Sequence, residues 1–192
     1  MKKLLITLMA TAVLAGCAGN GEKTTAMKSE PAAKSAAQTA SLNNEDLYVA
    51  YVHGRENVFY DAGLFKEFLE LGETAYRKTY IGAGTDGMTV SYGLTKKDKK
   101  KKTNPAEQMM KGELAAADDF YGEVFNSEEN RFYVFTTWAD FNTYVKTGVD
   151  NLRFSDIASG PKGETVVYVL NSKNKKNKPV AAIAKFKANH NI

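Results

Sequence analysis

Two pairs of arginines recur at one fixed spacing in this sequence and are its clearest candidates for ligand contact. Arg55 and Arg131 lie 76 residues apart, and so do Arg77 and Arg153. A guanidinium group can contact a carboxylate or phosphate through two parallel hydrogen bonds. All four side chains could therefore hold an anion in a cleft between two similar halves. Each arginine could instead pair with a carboxylate of its own half and serve stability alone.

Two lysine-rich stretches follow the same spacing, with six lysines in residues 96–102 and four in residues 173–178. Clustered lysines attract phosphates, anionic lipid head groups and polymer carboxylates. A solvated loop that keeps the protein soluble is the alternative. No aromatic residue is interleaved with the lysines, which argues against stacking on single-stranded nucleic acid. The predicted basic patch comprises Lys97, Lys99, Lys100, Lys173, Lys175 and Lys176.

Catalytic and metal-binding patterns are weak. The only cysteine is Cys17, so thiol chemistry in the body of the chain is excluded. A hydrolase would depend on His53 meeting a carboxylate, and Met109-Met110 could bind Cu(I) with a histidine. Methionine on a helix face is more typical of core packing. We therefore predict a non-catalytic protein with no metal and no cofactor.

A glycine pattern resembles a dinucleotide site but lacks its context. Gly82, Gly84 and Gly87 fit G-x-G-x-x-G, a motif that requires a strand before it and a helix after it. The segment after Gly87 alternates at strand period instead, with Val90 and Tyr92 on one side. A hairpin turn is predicted here.

The chain repeats itself from about Asp46 onward. With a shift of 76 residues, residues 81–100 match residues 157–176 at ten of twenty positions, where chance would give roughly one or two. The predicted units are residues 46–114, here called the first half, and residues 115–192, the second half. We expect them to form one compact domain with pseudo-twofold symmetry.

Each half shows the same order of elements. Strand patterns cover 48–52, 55–60, 76–81 and 89–94 in the first half, with a helix after Asp61 that ends at Gly72 and another opened by Pro105. In the second half the corresponding helices are predicted between Thr137 and Gly148 and from Pro179 onward. Strands next to each other in sequence and joined by tight turns favour antiparallel pairing. The predicted class is α+β: an internally duplicated ββαββα unit, with antiparallel sheets and helices packed on one face.

The first sixteen residues are predicted to be a secretory signal peptide, here called the leader. Lys2 and Lys3 precede an apolar stretch too short to span a bilayer, and the sequence Leu14-Ala15-Gly16-Cys17 follows. This ending resembles the lipobox of bacterial lipoproteins, which implies cleavage before Cys17 and acylation of that residue. Ala18 in place of aspartate implies, by the same resemblance, the outer membrane rather than the inner one. Residues 17–45, rich in small polar residues, are predicted to be a disordered tether with an r.m.s. span of roughly 30 Å.

The functional prediction joins these observations. We expect an outer-membrane-anchored periplasmic lipoprotein with a non-catalytic binding or envelope-maintenance domain, whose partner is an envelope protein or an anionic envelope component. The alternative is a small-anion or metal-delivery protein that uses a cleft between the halves. Its units are loosely similar to periplasmic copper-delivery lipoproteins, without their Cys/Met motif. Cleavage of the leader would remove Lys2 and Lys3 and lower the net charge from +4 to about +2, which is too small to indicate nucleic-acid binding.

Overall fold

The computed structural model describes residues 44–192, so the leader, Cys17 and the tether up to residue 43 lie outside the described residues. The described residues belong to one compact unit. Its helices and strands follow in the order β1 (Asp46–Val52), β2 (Arg55–Phe59), α1 (Ala62–Leu71), β3 (Tyr76–Tyr80), β4 (Thr89–Leu94), α2 (Pro105–Met110), β5 (Tyr121–Asn126), β6 (Arg131–Phe135), α3 (Trp138–Thr147), β7 (Leu152–Asp156), β8 (Thr165–Leu170) and α4 (Val180–His190).

Within residues 44–192, eight strands form a single sheet in the order β3-β4-β2-β1-β5-β6-β8-β7. The α+β class is confirmed, but the antiparallel prediction is wrong because the sheet is mixed. Hairpin neighbours such as β1 and β2 do pair antiparallel. However, β4 pairs in parallel with β2, β8 with β6, and β5 with β1. After β2 the chain passes through α1 and forms β3 at one outer edge of the sheet, and β4 then lies between β3 and β2. In the second half, α3 leads in the same way to β7 at the other edge, and β8 lies between β7 and β6.

Helices cover both faces of the sheet, which corrects the prediction that they share one face. Phe65 of α1 packs on Tyr48 of β1, with ring centroids 5.1 Å apart. Phe141 of α3 instead packs on Phe135 of β6. Phe135 pairs with Gly122, which lies beside Leu47 of β1. Since Leu47 and Tyr48 are consecutive in one strand, their side chains point to opposite faces, and so α1 and α3 lie on opposite faces.

Aromatic side chains fill the interior between the sheet and the helices. Seven aromatic residues in or beside the strands would form a partner surface if their rings were exposed together, and form core if the rings are buried: Tyr48, Tyr51, Tyr60, Tyr80, Tyr92, Phe132 and Tyr133. Tyr48, Phe132 and Tyr133 are at most 3% exposed, whereas Tyr80 is 37% exposed. Core packing is therefore confirmed for most of them, because alternate residues of every central strand meet a helix.

The first helix of each half has the ends that its sequence predicts. The side chain of Asp61 accepts a hydrogen bond from the Leu64 N–H, and Thr137 caps α3 in the same way. Gly72 and Gly148 stop these helices in left-handed conformation, at φ 78° and 67°, where a side chain would be strained. Pro179 differs from its prediction, since it lies just before α4 rather than in the first turn.

The segment with the dinucleotide-like glycines is a hairpin, as predicted, because β3 and β4 pair antiparallel on either side of it. Gly84 is required by close approach: a Cβ there would lie 2.8 Å from Glu56 Oε2. Gly160, its counterpart, would meet Glu164 Oε2 at 2.5 Å. A buried carboxyl group therefore lies against each hairpin loop. No helix in residues 44–192 is long and apolar enough to span a bilayer.

Candidate functional site

The four matched arginines do not meet in one cleft. Arg55 lies on the same face of β2 as Phe59, which packs against α1. Arg77 pairs with Gly93, whose backbone contacts that same Phe59 ring. Arg131 lies on the face of β6 that carries Phe135 and meets α3. The halves thus present their arginine pairs on opposite faces of the sheet, and the predicted four-arginine cleft between them does not form.

Three of these arginines have local carboxylate partners. Arg131 Nη1 lies 3.4 Å from Glu129 Oε2, and Arg153 Nη1 lies 3.3 Å from Asp150 Oδ1. Arg77 makes a longer contact, 3.7 Å, with Glu73 Oε2, and both side chains are largely exposed. Such exposed pairs contribute little to stability.

A pocket of about 350 Å³ brings Arg55 and Arg77 together in the first half. It lies between the end of α1 and strands β2 and β4. Its inner wall carries Asn57, Thr74 and Ser91, which are between 5% and 8% exposed. Within residues 44–192, the side chain of Arg55 has neither a hydrogen bond nor an ion pair. The pocket therefore combines an unpaired cation with buried polar groups, although it belongs to one half alone.

A second pocket, of about 260 Å³, does lie between the halves, where α2 faces α3. None of the four arginines lines it. The carboxyl group of Glu56, which is 1% exposed, lines its wall, and Oε2 accepts a hydrogen bond of 2.8 Å from the Thr85 N–H. Lys111 and Lys146 line the same space as Glu56, so it presents groups of both signs and lacks the arginines predicted to hold an anion.

The two lysine loops are exposed extensions after β4 and β8. Lys97, Lys100, Lys173, Lys175 and Lys176 are exposed to solvent. Lys99 is also exposed, and its ammonium nitrogen lies 4.5 Å from the centroid of the Tyr76 ring. Residues 95–104 and 171–179 together contain ten lysines and a single acidic residue, Asp98.

Asp98 shapes the first lysine loop. Thr95 Oγ1 donates to its carboxylate at 2.6 Å, Lys101 Nζ lies 2.7 Å away, and the Tyr60 hydroxyl donates as well. Burial opposes the charged form, but these three groups outweigh it and lower the pKa of Asp98 to about 2. The loop is therefore a defined turn whose remaining lysines project outward.

A buried polar network that the sequence did not indicate joins the C-terminal helix to the centre of the sheet. Glu123 on β5 is fully buried; its Oε1 accepts from the Tyr121 hydroxyl at 2.6 Å and from Asn189 Nδ2 at 3.1 Å. His190 Nε2 lies 2.7 Å from Glu123 Oε2. Burial, and then the Glu123 charge, raise the pKa of Tyr121, so its hydroxyl remains a donor. A signal in the sequence would have been a glutamate inside an otherwise apolar strand.

The remaining chemical candidates stay apart. The His53 side chain has no carboxylate partner among the residues that the structure describes. Met109 is fully buried against the core, in agreement with its structural interpretation. No cluster of three or more His, Cys, Asp or Glu residues with metal-binding geometry occurs between residues 44 and 192.

Comparison with known proteins returned no match to a family, to a curated protein or to a solved structure.

Proposed function

We propose that this protein is an envelope lipoprotein, held at the outer membrane by acylated Cys17, whose non-catalytic domain rests its two lysine loops on an anionic membrane surface. One observation carries the proposal. The lysine loops and the point where the tether joins the domain lie at the same end of the sheet.

Strand direction establishes that common end. Each hairpin pairs an odd-numbered strand antiparallel with the even-numbered strand that follows it, and the parallel pairs join β2 to β4, β6 to β8 and β1 to β5. All even-numbered strands therefore run in one direction and all odd-numbered strands in the other. The loops after β4 and β8 therefore lie at the end where β1 begins. Asn44, the first described residue, precedes β1 at this end. A lipid anchor on the preceding tether would hold this end of the domain toward the membrane.

The lysine loops flank the tether as two separate cationic contacts. Five strand spacings separate β4 from β8, which corresponds to about 24 Å. Acidic residues, Glu45, Asp118 and Asp119, lie in the connections between them. Each lysine close to an anionic leaflet contributes about 1 kcal/mol of attraction. The attraction between the two loops and the membrane is thus large enough to orient an anchored domain. Without the loops, the small net charge of the chain gives little attraction.

The same symmetry suggests how the domain arose. We infer that the halves are copies of one ββαββα unit, related by rotation about an axis parallel to the strands between β1 and β5. Arg55–Val58 pairs with Thr89–Tyr92 in the same register as Arg131–Val134 with Thr165–Tyr168. Rotation about such an axis keeps strand direction and reverses the faces, which accounts for both the parallel β1–β5 pair and the helices on opposite faces. Duplication would also explain why both lysine loops point to one end.

Vesicle binding tests the proposal. In the mature chain, Cys17→Ser prevents acylation, so that vesicle binding reports only the electrostatic attraction between protein and lipid. We expect it to cosediment with vesicles containing anionic phosphatidylglycerol, less so as salt rises, and not with pure phosphatidylcholine. Exchange of Lys97, Lys100 and Lys175 for glutamine should abolish most of this binding.

The matched control removes the same charge outside the loops, by Lys66→Gln, Lys146→Gln and Lys162→Gln together. This variant should retain most of the vesicle binding. Equal loss from both triple variants would show that net charge alone is responsible, and would overturn the orientation that we propose.

A further inference from the structure

The first half contains a pocket where the second half is filled. With the 76-residue shift, Asn57, Ser91 and Gly93 correspond to Tyr133, Val167 and Val169. The Tyr133 ring is 3% exposed and packs against Tyr144, with centroids 4.6 Å apart. Smaller side chains at the equivalent positions leave a pocket of about 350 Å³ in the first half.

The carboxylates that neutralise the arginines of the second half are also missing from the first. Glu129, the partner of Arg131, corresponds to His53, and Asp150, the partner of Arg153, corresponds to Thr74. Both His53 and Thr74 line the pocket. The remaining acid at the rim is Glu73, whose side chain is 73% exposed and lies 3.7 Å from Arg77. The first half therefore retains both arginines, whereas a histidine and a threonine replace the two carboxylates that pair with the arginines in the second half.

Buried polar side chains in the same pocket add specificity to the positive charge of the two arginines. Asn57 donates its Nδ2 to the Ala50 carbonyl at 3.2 Å, which leaves its amide oxygen to accept a hydrogen bond. The Ser91 hydroxyl is 2.9 Å from Thr79 Oγ1. Pockets of this volume accept small organic molecules, and an arginine pair favours oxyanions with parallel acceptor oxygens.

We propose that this pocket binds a small hydroxylated organic anion whose carboxylate or phosphate group contacts Arg55 and Arg77. The hydroxyl groups of the ligand meet Asn57 and Ser91. Both arginines are within the set predicted from the sequence, but the site lies inside the first half and does not depend on the membrane contact proposed above.

The chain supplies its own matched controls for the test. The mature chain with Cys17→Ser is titrated with citrate, glucose 6-phosphate and neutral glucose, while the backbone amide resonances of residues 53, 72 and 74 are followed by NMR. We expect saturable shifts with at least one anion and none with glucose; citrate and glucose 6-phosphate distinguish a carboxylate from a phosphate ligand. Arg55→Gln should weaken binding by at least about tenfold, and Arg131→Gln, at the equivalent position, by less than about twofold.

A second variant keeps both arginines in place. Thr74→Asp restores the counter-charge found in the second half and should abolish binding, with the amide spectrum otherwise unchanged. The proposal is overturned if neither anion binds saturably at about 10 mM, a limit typical of weak sites, or if Arg131→Gln weakens binding as much as Arg55→Gln does.

Discussion

The contact between His190 and Glu123 should be one of the most sensitive points in the fold. Their side chains are 4% and 0% exposed, and Nε2 and Oε2 are 2.7 Å apart. His190→Ala leaves Glu123 Oε2 buried without its donor, and also removes a ring that lies 4.4 Å from the centroid of Phe186. A buried charged group without its donor, together with the lost packing, costs about 3 kcal/mol.

That loss is large relative to the stability of such a domain. The free energy of unfolding of such domains is typically about 5–15 kcal/mol, and a loss of 1 kcal/mol lowers Tm by about 2–4 °C. We therefore expect His190→Ala to lower Tm by about 6–12 °C. The single tryptophan of the chain, Trp138, packs against Phe120 and Phe141, so urea unfolding can be followed by its fluorescence.

A double-mutant cycle separates the pair from simple loss of packing. Glu123→Gln should also destabilise, and the double variant should be less destabilised than the sum of the two by about 1 kcal/mol or more. His53→Asn, in an exposed turn, should change the free energy of unfolding by less than about 0.5 kcal/mol. Additive effects in the cycle, or a His190→Ala variant as stable as the parent, would refute this reasoning.

Two further predictions concern single positions. The pKa of Asp98, about 2 against an ordinary 3.8, is lowered in the folded state, so its contribution to stability is complete above about pH 4 and is lost as the pH falls through about 2. The ¹³C shift of its carboxyl group should show that midpoint, and Lys101→Gln should raise it; an unchanged midpoint would contradict the role of the ion pair. Gly122→Ala places a Cβ 2.4 Å from Phe141 Cδ2, and should destabilise by about 1–3 kcal/mol in urea unfolding, whereas a neutral effect would show that the ring moves aside freely.

Local features of this fold could be predicted from the sequence because neighbouring residues determine them. Asp61 as a cap, Gly72 as a stop and strand β4 at 89–94 follow from hydrogen bonding, backbone freedom and alternation. The side-by-side pairing of β2 with β4 could not be predicted, since alternation shows which residues form strands but not which strands become neighbours. The prediction of helices on one face failed for the same reason.

The candidate sites show a similar division. The repeat identified Arg55 and Arg77 as equivalent to Arg131 and Arg153, yet it could not show that rotation places the pairs on opposite faces. Differences between the halves, such as Thr74 in place of an aspartate, are visible in the sequence. They gain meaning only when the structure shows that they line one pocket.

The orientation of the domain on the membrane is the central claim, and a depth measurement tests it most directly. In the acylated protein a cysteine introduced by Lys100→Cys, at a lysine loop, or by Glu128→Cys, at the opposite end of the sheet, can be labelled with a fluorophore. Each is then reconstituted in phosphatidylglycerol-containing vesicles with nitroxide-labelled lipid. We predict strong quenching at position 100 and little at position 128. Equal quenching at both positions, or stronger quenching at 128, would contradict the proposed orientation.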